Sequence, residues 1–224
     1  MQSMPTQPSK FDAIFFDLDG TLVDSVADIA ASANHVRATM GKSPLPVPTV
    51  RSYVGDGIHS LFQRVLETKD PTTIEQAISL WRPHYIEHCL DQTILYSGIA
   101  DLLIQLTALK IPMAVVTNKP VSPSEKILAG LSVRNHFASV VGGDTISERK
   151  PNPAPFLLAL KQLNLTSRRI LVVGDASNDI EGARNAGMTS CGVLWGIGHP
   201  DAIRKLNPDH IVSHPAEILS VLGM

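Results

Sequence analysis

The chain has 224 residues, 44% of them hydrophobic, which is enough to bury the core of one domain, or of one domain carrying an insert. Its 19 basic and 21 acidic residues are spread along the chain and give a formal charge of −2, so nucleic acid is not an expected partner. Two distant cysteines and the lack of any run of about 18 apolar residues argue against a disulfide framework, secretion and membrane insertion, and we expect a cytoplasmic protein.

Short apolar runs recur after a polar N-terminal stretch, residues 1–10, that is predicted to be a flexible tail. The runs end in polar or glycine-containing turns, a pattern typical of buried parallel strands, and helical patterns separate the later ones. This alternation predicts an α/β fold with a doubly wound parallel sheet, assigned to residues 11–23 and 96–224. The predicted strands cover residues 13–16, 113–116, 139–141, 170–173, 191–194 and 210–212.

Residues 24–95 break this alternation, because successive helical patterns follow one another with no strand predicted between them. The first helix has a start signal at Ser25-x-x-Asp28, and a later helix carries Trp81 and Tyr85 on its apolar face. We therefore predict an all-helical cap domain inserted after the first strand. Such an insert would lie over the carboxyl ends of the strands, where open α/β sheets bind their ligands.

Two carboxylates, Asp17 and Asp19, come directly after the first strand, and Gly20 permits a sharp turn there. An isolated Asp-x-Asp pair would more often only cap a turn. Three later strand ends change that interpretation, because they bring further polar residues to the same edge of a parallel sheet.

The second strand ends in Thr117-Asn118-Lys119, whose hydroxyl, amide and backbone N–H groups can hold phosphate oxygens. Lys150 follows the third strand and precedes prolines, and Asp175 and Asp179 follow the fourth. Several carboxylates gathered at one edge repel each other unless a cation joins them, so a divalent metal is predicted. Because the predicted ligands Asp17, Asp19, Asp175 and Asp179 offer only oxygen atoms, Mg²⁺ is preferred over zinc.

Taken together, these motifs resemble those of the haloacid dehalogenase superfamily of phosphohydrolases, over nearly the whole chain. The stretch Phe16 to Ser25 (FDLDGTLVDS) is close to the first motif of that family, and the other three motifs match in order and approximate spacing at Thr117, Lys150 and Asp175-x-x-x-Asp179. One position departs from the pattern: Ala176 stands where the family often has Ser or Thr, from which we expect altered metal affinity rather than lost activity.

The resemblance implies that Asp17 is the nucleophile and forms a phospho-aspartyl intermediate. It implies that Asp19 is the general acid and then the general base, and that its backbone carbonyl contributes to the metal site. Thr117 and Lys150 are implied to anchor the phosphate. The implied side-chain holders of the metal are Asp175 and Asp179.

Within that superfamily, the segment Arg51 to Ile58 resembles the cap of the phosphoglycolate phosphatase branch, as do Thr117 to Pro120, Gly142 to Asp144 and Trp195-Gly196. The resemblance implies that 2-phosphoglycolate is the substrate and that Gly55, Asp56 and Gly57 form a substrate-recognition loop. A simple turn between two helices would also explain the glycines. Arg51 is expected to meet either a substrate carboxylate or a surface ion-pair partner. We expect a monomer or homodimer whose partner is a small phosphorylated metabolite.

Other functions remain open on the sequence. They are a phosphatase for another small metabolite such as a sugar phosphate, a phosphosugar mutase similar to β-phosphoglucomutase, and a non-enzymatic phospho-acceptor switch. Asp19 and the helical insert disfavour the switch, which needs neither an acid–base group nor a substrate cap. The Thr117-Asn118-Lys119 stretch favours hydrolysis over the mutase, and the acidic set argues against a metal-free dehalogenase.

Five further residues in or near these segments receive structural interpretations. His84 and His88 lie four residues apart on a predicted helix, and we assign them to the helix surface because no third metal ligand is evident. Trp81 and Tyr85 are assigned to the core of the insert, whereas Trp195 suits either the site or simple packing.

Overall fold

The computed structural model describes residues 9–224, and most of the predicted flexible tail therefore lies outside the described residues. Six parallel strands form one sheet in the order β5-β4-β1-β6-β7-β8. Every predicted strand is present, with ends that differ by no more than two residues, and the predicted fold class is confirmed. The strands are β1 (Ala13–Phe16), β4 (Met113–Val116), β5 (Ser139–Val141), β6 (Ile170–Gly174), β7 (Thr189–Val193) and β8 (His210–Val212).

Helices cover both faces of the sheet, and the side chains of β1 alternate between them. Phe15 packs into one buried cluster and Phe16 into the other, as the two-residue period of a strand requires. Among residues 9–224, no helix combines the length and the apolar character needed to cross a bilayer. The helices that follow the insert are α5 (Ile99–Ala108), α6 (Val121–Gly130), α7 (Ala154–Gln162), α8 (Ser177–Ala186), α9 (Pro200–Lys205) and α10 (Glu217–Val221), with a short 3-10 helix at Arg134–His136.

The segment between β1 and α5 is helical, as predicted, except at its two ends. There the chain forms a two-stranded antiparallel ribbon of β2 (Val23–Asp24) and β3 (Ile94–Leu95). The ribbon was not predicted, because two residues are too few to show strand periodicity. The helices between its strands are α1 (Val26–Thr39), α2 (Val47–Arg51), α3 (Ile58–Leu66) and α4 (Pro71–His88). The division of the chain into core and cap domains stays a prediction.

The start of α1 lies where the sequence predicts it, but its two signal residues do not cap the helix with their side chains. Ser25 donates its hydroxyl to Asp19 instead. Asp28, which is buried, accepts hydrogen bonds from the backbone N–H groups of Gln92 and Thr93 and from the Thr93 hydroxyl, at 2.7–3.1 Å. These bonds join the beginning of the insert to the segment just before β3, where the chain leaves it.

Candidate functional site

The polar side chains predicted from the strand ends converge at one edge of the sheet. Asp17 follows β1, Thr117 follows β4, and Asp175 follows β6, and these three strands are neighbours in the sheet. Asp179 lies in the first turn of α8, and Lys150 reaches the same place from the loop after β5. The parallel topology is the reason that residues distant in sequence meet here.

Lys150 links two of the carboxylates directly. Its ammonium nitrogen lies 2.7 Å from Asp17 Oδ1 and 2.6 Å from Asp179 Oδ1, and it also donates to the carbonyl of Val116 at 2.7 Å. Burial favours the neutral form of Lys150, but the two carboxylates outweigh burial and raise its pKa. Lys150 therefore supplies a fixed positive charge beside Asp17.

Asp17, Asp175 and Asp179 form a buried acidic cluster in which one oxygen from each side chain lies within 4.8 Å of the others. Burial, followed by the charge of neighbouring carboxylates, raises the pKa of Asp17 to about 6, although Lys150 opposes the shift. The same causes raise the pKa of Asp175 to about 7. Lys150 alone does not balance the cluster, and an oxygen-only set of this size fits a hard divalent cation.

The backbone around the acidic cluster leaves no room for larger residues. Gly20 has a φ of +87°, and a Cβ at this position would lie 2.2 Å from Asp175 Oδ2. The same oxygen accepts backbone N–H groups from Ile197 at 2.7 Å and Gly198 at 3.0 Å. The orientation of Asp175 is thus fixed by the backbone of two separate loops.

Asp19 keeps its side chain apart from the acidic cluster. It forms an ion pair with Lys119, whose nitrogen lies 2.9 Å and 3.1 Å from the two carboxylate oxygens. Lys119 also donates to the hydroxyl of Tyr85, a residue of α4, at 2.6 Å. The side-chain role of Lys119 was not predicted from the sequence, which indicated only its backbone N–H, and Tyr85 was predicted to serve packing. Burial raises the pKa of Tyr85 well above its usual value, so its hydroxyl remains neutral.

The two residues predicted to bind phosphate after β4 are both buried. The Thr117 hydroxyl accepts the backbone N–H of Lys119 at 3.2 Å. The Asn118 side chain accepts the N–H of Lys150 and donates to the carbonyls of Lys150 and Gly55, at 2.9–3.1 Å. Its amide therefore joins two loops, and its contact with phosphate stays a prediction.

The predicted substrate loop, Gly55 to Gly57, contacts the sheet edge. Asn178, in the first turn of α8, donates its amide to the Gly55 carbonyl at 3.3 Å and to Asp56 Oδ1 at 2.8 Å. Asp56 also forms an ion pair with Arg64 of α3. This arrangement fixes the loop against the core, and its contact with substrate stays a prediction.

Arg51 forms no ion pair within residues 9–224, and its contact with a substrate carboxylate stays a prediction. Its guanidinium donates to the backbone carbonyls of Gly196 at 2.7 Å and Ile197 at 3.4 Å. The contact joins α2 to the loop that orients Asp175, and it explains why no ion-pair partner is needed.

Two adjoining cavities share Asp17 and Asp19 in their walls. The larger, about 320 Å³, is bordered by Lys150, the acidic cluster and Arg51. The smaller, about 50 Å³, extends towards the insert and is bordered by Lys119 and Trp81. A molecule bound at Asp17 can therefore extend into both cavities.

The aromatic and histidine residues of the insert are mostly packed. Trp81 stacks on Tyr85 with ring centres 4.4 Å apart, as expected for its core, although its indole N–H has no hydrogen-bond partner among the described residues. His84 is stacked on His35 at 3.9 Å and bonded to Ser32, so it is less exposed than the predicted helix surface. Trp195 donates its indole N–H to the Thr21 carbonyl at 3.1 Å, which supports the packing interpretation.

The fold and the site together define a doubly wound α/β enzyme with an acidic, lysine-bearing site at the carboxyl edge of its sheet. Comparison with known families is specific: a model for haloacid dehalogenase-like hydrolases matches residues 14–193, and the chain belongs to this family.

The relatives of the chain indicate to which branch of this family it belongs. The chain is 37% identical over 215 residues to a phosphoglycolate phosphatase of Chromobacterium violaceum, covering 94% of this chain and 96% of that protein. It is 38% identical over 214 residues to the phosphoglycolate phosphatase of Neisseria meningitidis, covering 92% and 91%. A predicted phosphoglycolate phosphatase from Haemophilus somnus has a similar crystal structure, with a TM-score of 0.89, 31% identity and coverage of 95% and 98%. The protein is thus a phosphatase of the phosphoglycolate phosphatase-like branch, and it acts on a small phosphorylated substrate.

Proposed function

We propose that the protein hydrolyses phosphate monoesters with Mg²⁺ as cofactor and a phosphorylated Asp17 as intermediate, and that its substrate is 2-phosphoglycolate. The observation that carries the proposal is the contact of Lys150 with both Asp17 and Asp179 inside the acidic cluster. A carboxylate that attacks a phosphate dianion must be held close to positive charge. Lys150 supplies one such charge, and a cation bound by the acidic cluster would supply another.

The acidic cluster fits the ion. Asp17, Asp175 and Asp179 would hold Mg²⁺ with their side chains, and Asp19 would add its backbone carbonyl. When bound, the ion neutralises phosphoryl charge and stabilises the transition state. Residues of the chain perform the remaining steps.

In the first step, a carboxylate oxygen of Asp17 forms a bond to phosphorus while the bond from phosphorus to the ester oxygen breaks. Asp19 gives its proton to the departing alcohol. Thr117, Asn118 and Lys150 are proposed to hold the phosphoryl oxygens in line.

In the second step, Asp19 takes a proton from water, and the oxygen of that water attacks phosphorus. The bond between phosphorus and Asp17 breaks, which releases inorganic phosphate and restores the carboxylate. One proton taken up by Asp19 replaces the one it gave, so the cycle balances.

The helical insert, residues 24–95, is proposed to act as a cap on the core formed by residues 11–23 and 96–224. Gly55 to Gly57 would meet the substrate, since Asn118 and Asn178 hold this loop over the site. Closure of such a cap excludes water while the phosphoryl group moves to Asp17.

The substrate assignment rests on the relatives, which are named phosphoglycolate phosphatases, and on the small size of the cavity that leads into the insert. We also propose a cytoplasmic location, with which two free and buried cysteines agree, and a monomeric or homodimeric state.

A screen of small phosphate esters with and without Mg²⁺ tests the function. Asp17→Asn is expected to lower turnover of 2-phosphoglycolate by at least about 10³-fold, and Asp19→Asn by about 10²- to 10⁴-fold. Asp201→Asn, an exposed aspartate on α9, is the matched control and should leave turnover unchanged. Trapping of a labelled phosphoryl group on the wild type, but not on Asp17→Asn, identifies the intermediate.

Unchanged turnover in the presence of a chelator would contradict the metal requirement. Preference for a hexose phosphate would replace the substrate but retain the mechanism. Return of the phosphoryl group to a sugar product, rather than to water, would assign the protein to the mutases.

A further inference from the structure

The smaller cavity leads from the reacting carboxylates into the insert, and its walls are largely apolar. Its volume of about 50 Å³ suits roughly three to five atoms of water size, since one such atom needs about 10–15 Å³. The insert contributes the apolar walls Ile29, Val54, Ile58 and Leu61. Only a small group attached to the phosphate ester can enter it.

Lys119 is the buried cation of this cavity. Only 4% of its side chain is exposed, and Asp19 and the hydroxyl of Tyr85 are its two partners. Lys150, the other buried lysine of the site, is engaged by Asp17 and Asp179 at the phosphate end. The site therefore has two buried lysines with separate positions, and the phosphate accounts for one of them.

Trp81 also borders this cavity. The residue is 4% exposed, and its indole N–H is the one buried side-chain polar atom, within residues 9–224, that has no hydrogen-bond partner. A buried donor without an acceptor costs free energy. A ligand oxygen that accepts a hydrogen bond from this N–H would recover that free energy on binding.

We propose that Lys119 and Trp81 form a subsite for the carboxylate of the substrate, which would accept from the indole N–H and share the lysine ammonium with Asp19. The inference rests on the proposed function and specifies its substrate class: short phosphate esters with a carboxylate one carbon from the ester oxygen. Three atoms of a carboxylate match the cavity, and a sugar ring exceeds it. Arg51, the other cation near the larger cavity, is engaged by the carbonyls of Gly196 and Ile197.

The test compares kcat/KM for 2-phosphoglycolate with kcat/KM for ethyl phosphate, in which a methyl group replaces the carboxylate. The wild type should prefer 2-phosphoglycolate by at least about 100-fold, because a site built for a polar group rejects the analogue that lacks it. Lys119→Met should bring the ratio to within about tenfold of one, and Trp81→Phe, which retains an aromatic ring against Tyr85, should lower it about tenfold.

Matched controls separate recognition from packing. Trp195→Phe removes an indole N–H that already has a partner, and Lys126→Met removes a lysine that donates to the Ile86 carbonyl away from the cavity. Both should retain the wild-type ratio. If Lys119→Met and Trp81→Phe slow both esters equally, these residues only position Asp19 or support the fold, and the subsite is refuted.

The two proposals fail in different ways. A wild type that hydrolyses both esters equally well with Mg²⁺ refutes the subsite and retains the proposed function. If neither ester is hydrolysed, the proposed function fails, and calorimetry on Asp17→Asn protein still decides the subsite. Binding of 2-phosphoglycolate at least about tenfold tighter than ethyl phosphate supports it, and equal binding refutes it.

Discussion

At the scale of single residues, the two buried lysines of the site have different acidic partners, which the sequence does not indicate. Lys150 is paired with Asp17 and Asp179, the proposed nucleophile and a proposed metal ligand, whereas Lys119 is paired with Asp19, the proposed acid–base group. Both lysines are buried and paired, so each has a defined position in the structure. Their separate positions permit separate tests.

Lys150→Met is expected to lower kcat by about 10²- to 10³-fold, since it removes a preorganised positive charge from the transferring phosphoryl group. Steady-state hydrolysis of the preferred ester measures the effect. Lys161→Met, at an exposed lysine of α7, is the control. A loss below tenfold in a variant with a native circular dichroism spectrum would show that Lys150 is not needed for phosphoryl transfer.

Ala176→Ser restores the hydroxyl that the family often has at this position. The Ala176 N–H donates to Asp179 Oδ2 at 3.1 Å, and the N–H groups of Ile197 and Gly198 hold Asp175, so both carboxylates are oriented without the hydroxyl. We expect kcat to stay within about threefold of the wild type while the Mg²⁺ concentration for half-maximal rate falls by up to about tenfold. Titration of activity with Mg²⁺ measures both quantities, and a loss of kcat above 100-fold would contradict the expectation.

The acidic residues and Lys150 were predictable because each follows an apolar strand and the strands are parallel. The pairing of Lys119 with Asp19 and Tyr85 was not, since Tyr85 belongs to a helix of the insert. Its contact depends on how α4 packs against the core, which no local pattern encodes. Arg51 likewise binds backbone carbonyls, which have no signature in the sequence.

At the scale of elements, α8 connects the catalytic edge with the insert. Its first turn carries Asp179, which faces the acidic cluster, and Asn178, which holds Gly55 and Asp56. The same turn therefore orients a proposed metal ligand and the proposed substrate loop. Displacement of the loop and disturbance of the metal site are expected to be coupled through this turn.

Asn178→Ala should lower kcat/KM by about tenfold to fiftyfold, because the substrate loop loses two hydrogen bonds to the core and closes less completely. The protein should remain folded, since these bonds do not belong to the core. Asn185→Ala, at the exposed end of the same helix, removes a single bond to the Pro151 carbonyl and is the control. Equal kinetics of the two variants would show that the contact with Gly55 and Asp56 has no part in turnover.

The helices α1 and α4 meet at a histidine stack whose protonation affects stability. Burial, followed by the charges of His35 and His88, lowers the pKa of His84 in the folded protein. The unfolded chain, with an ordinary histidine pKa near about 6.5, then takes up a proton before the folded protein does as pH falls. The contribution of His84 to stability is present above that pH and is lost below it.

We therefore expect the melting temperature of the wild type to fall more steeply than that of His84→Gln as pH is lowered from 7 to 5. Calorimetry of both proteins in parallel measures the difference. Parallel curves for the two proteins would mean that the pKa of His84 is the same in the folded protein as in the unfolded chain.

Element positions were predicted better than element contacts. The six strands of the main sheet have strong apolar runs that end in turns, and their bounds were accessible from the sequence. The ribbon of β2 and β3 was missed because each strand has two residues, and the capping role of Ser25 was wrong because Asp19 competes for its hydroxyl. In both cases a tertiary contact determines the local structure.

At the scale of the whole molecule, the acidic cluster joins segments that belong to distant parts of the chain. Asp17 follows the central strand, and Asp175 and Asp179 follow its neighbour on one side. Repulsion among these buried carboxylates opposes folding, and a bound cation relieves it. Stability and metal content are therefore expected to be linked.

Saturating Mg²⁺ should raise the melting temperature by about 5–10 °C at 100 times its dissociation constant. The estimate follows from about 2.7 kcal/mol of linkage and about 2–4 °C per kcal/mol for a domain of this size. Scanning calorimetry at constant ionic strength, with NaCl replacing MgCl₂, measures the shift. The Asp175→Asn variant should show little of it, and an equal shift in that variant would place the stabilising ion elsewhere.

The ribbon of β2 and β3 brings the two ends of the insert together, because the chain enters and leaves it through paired strands that lie about 5 Å apart. A helical module from another protein with similarly close ends could be grafted at this point while the order of the six-stranded sheet is preserved. Exchange of the insert in this way would offer a means to change substrate preference without altering the reacting groups.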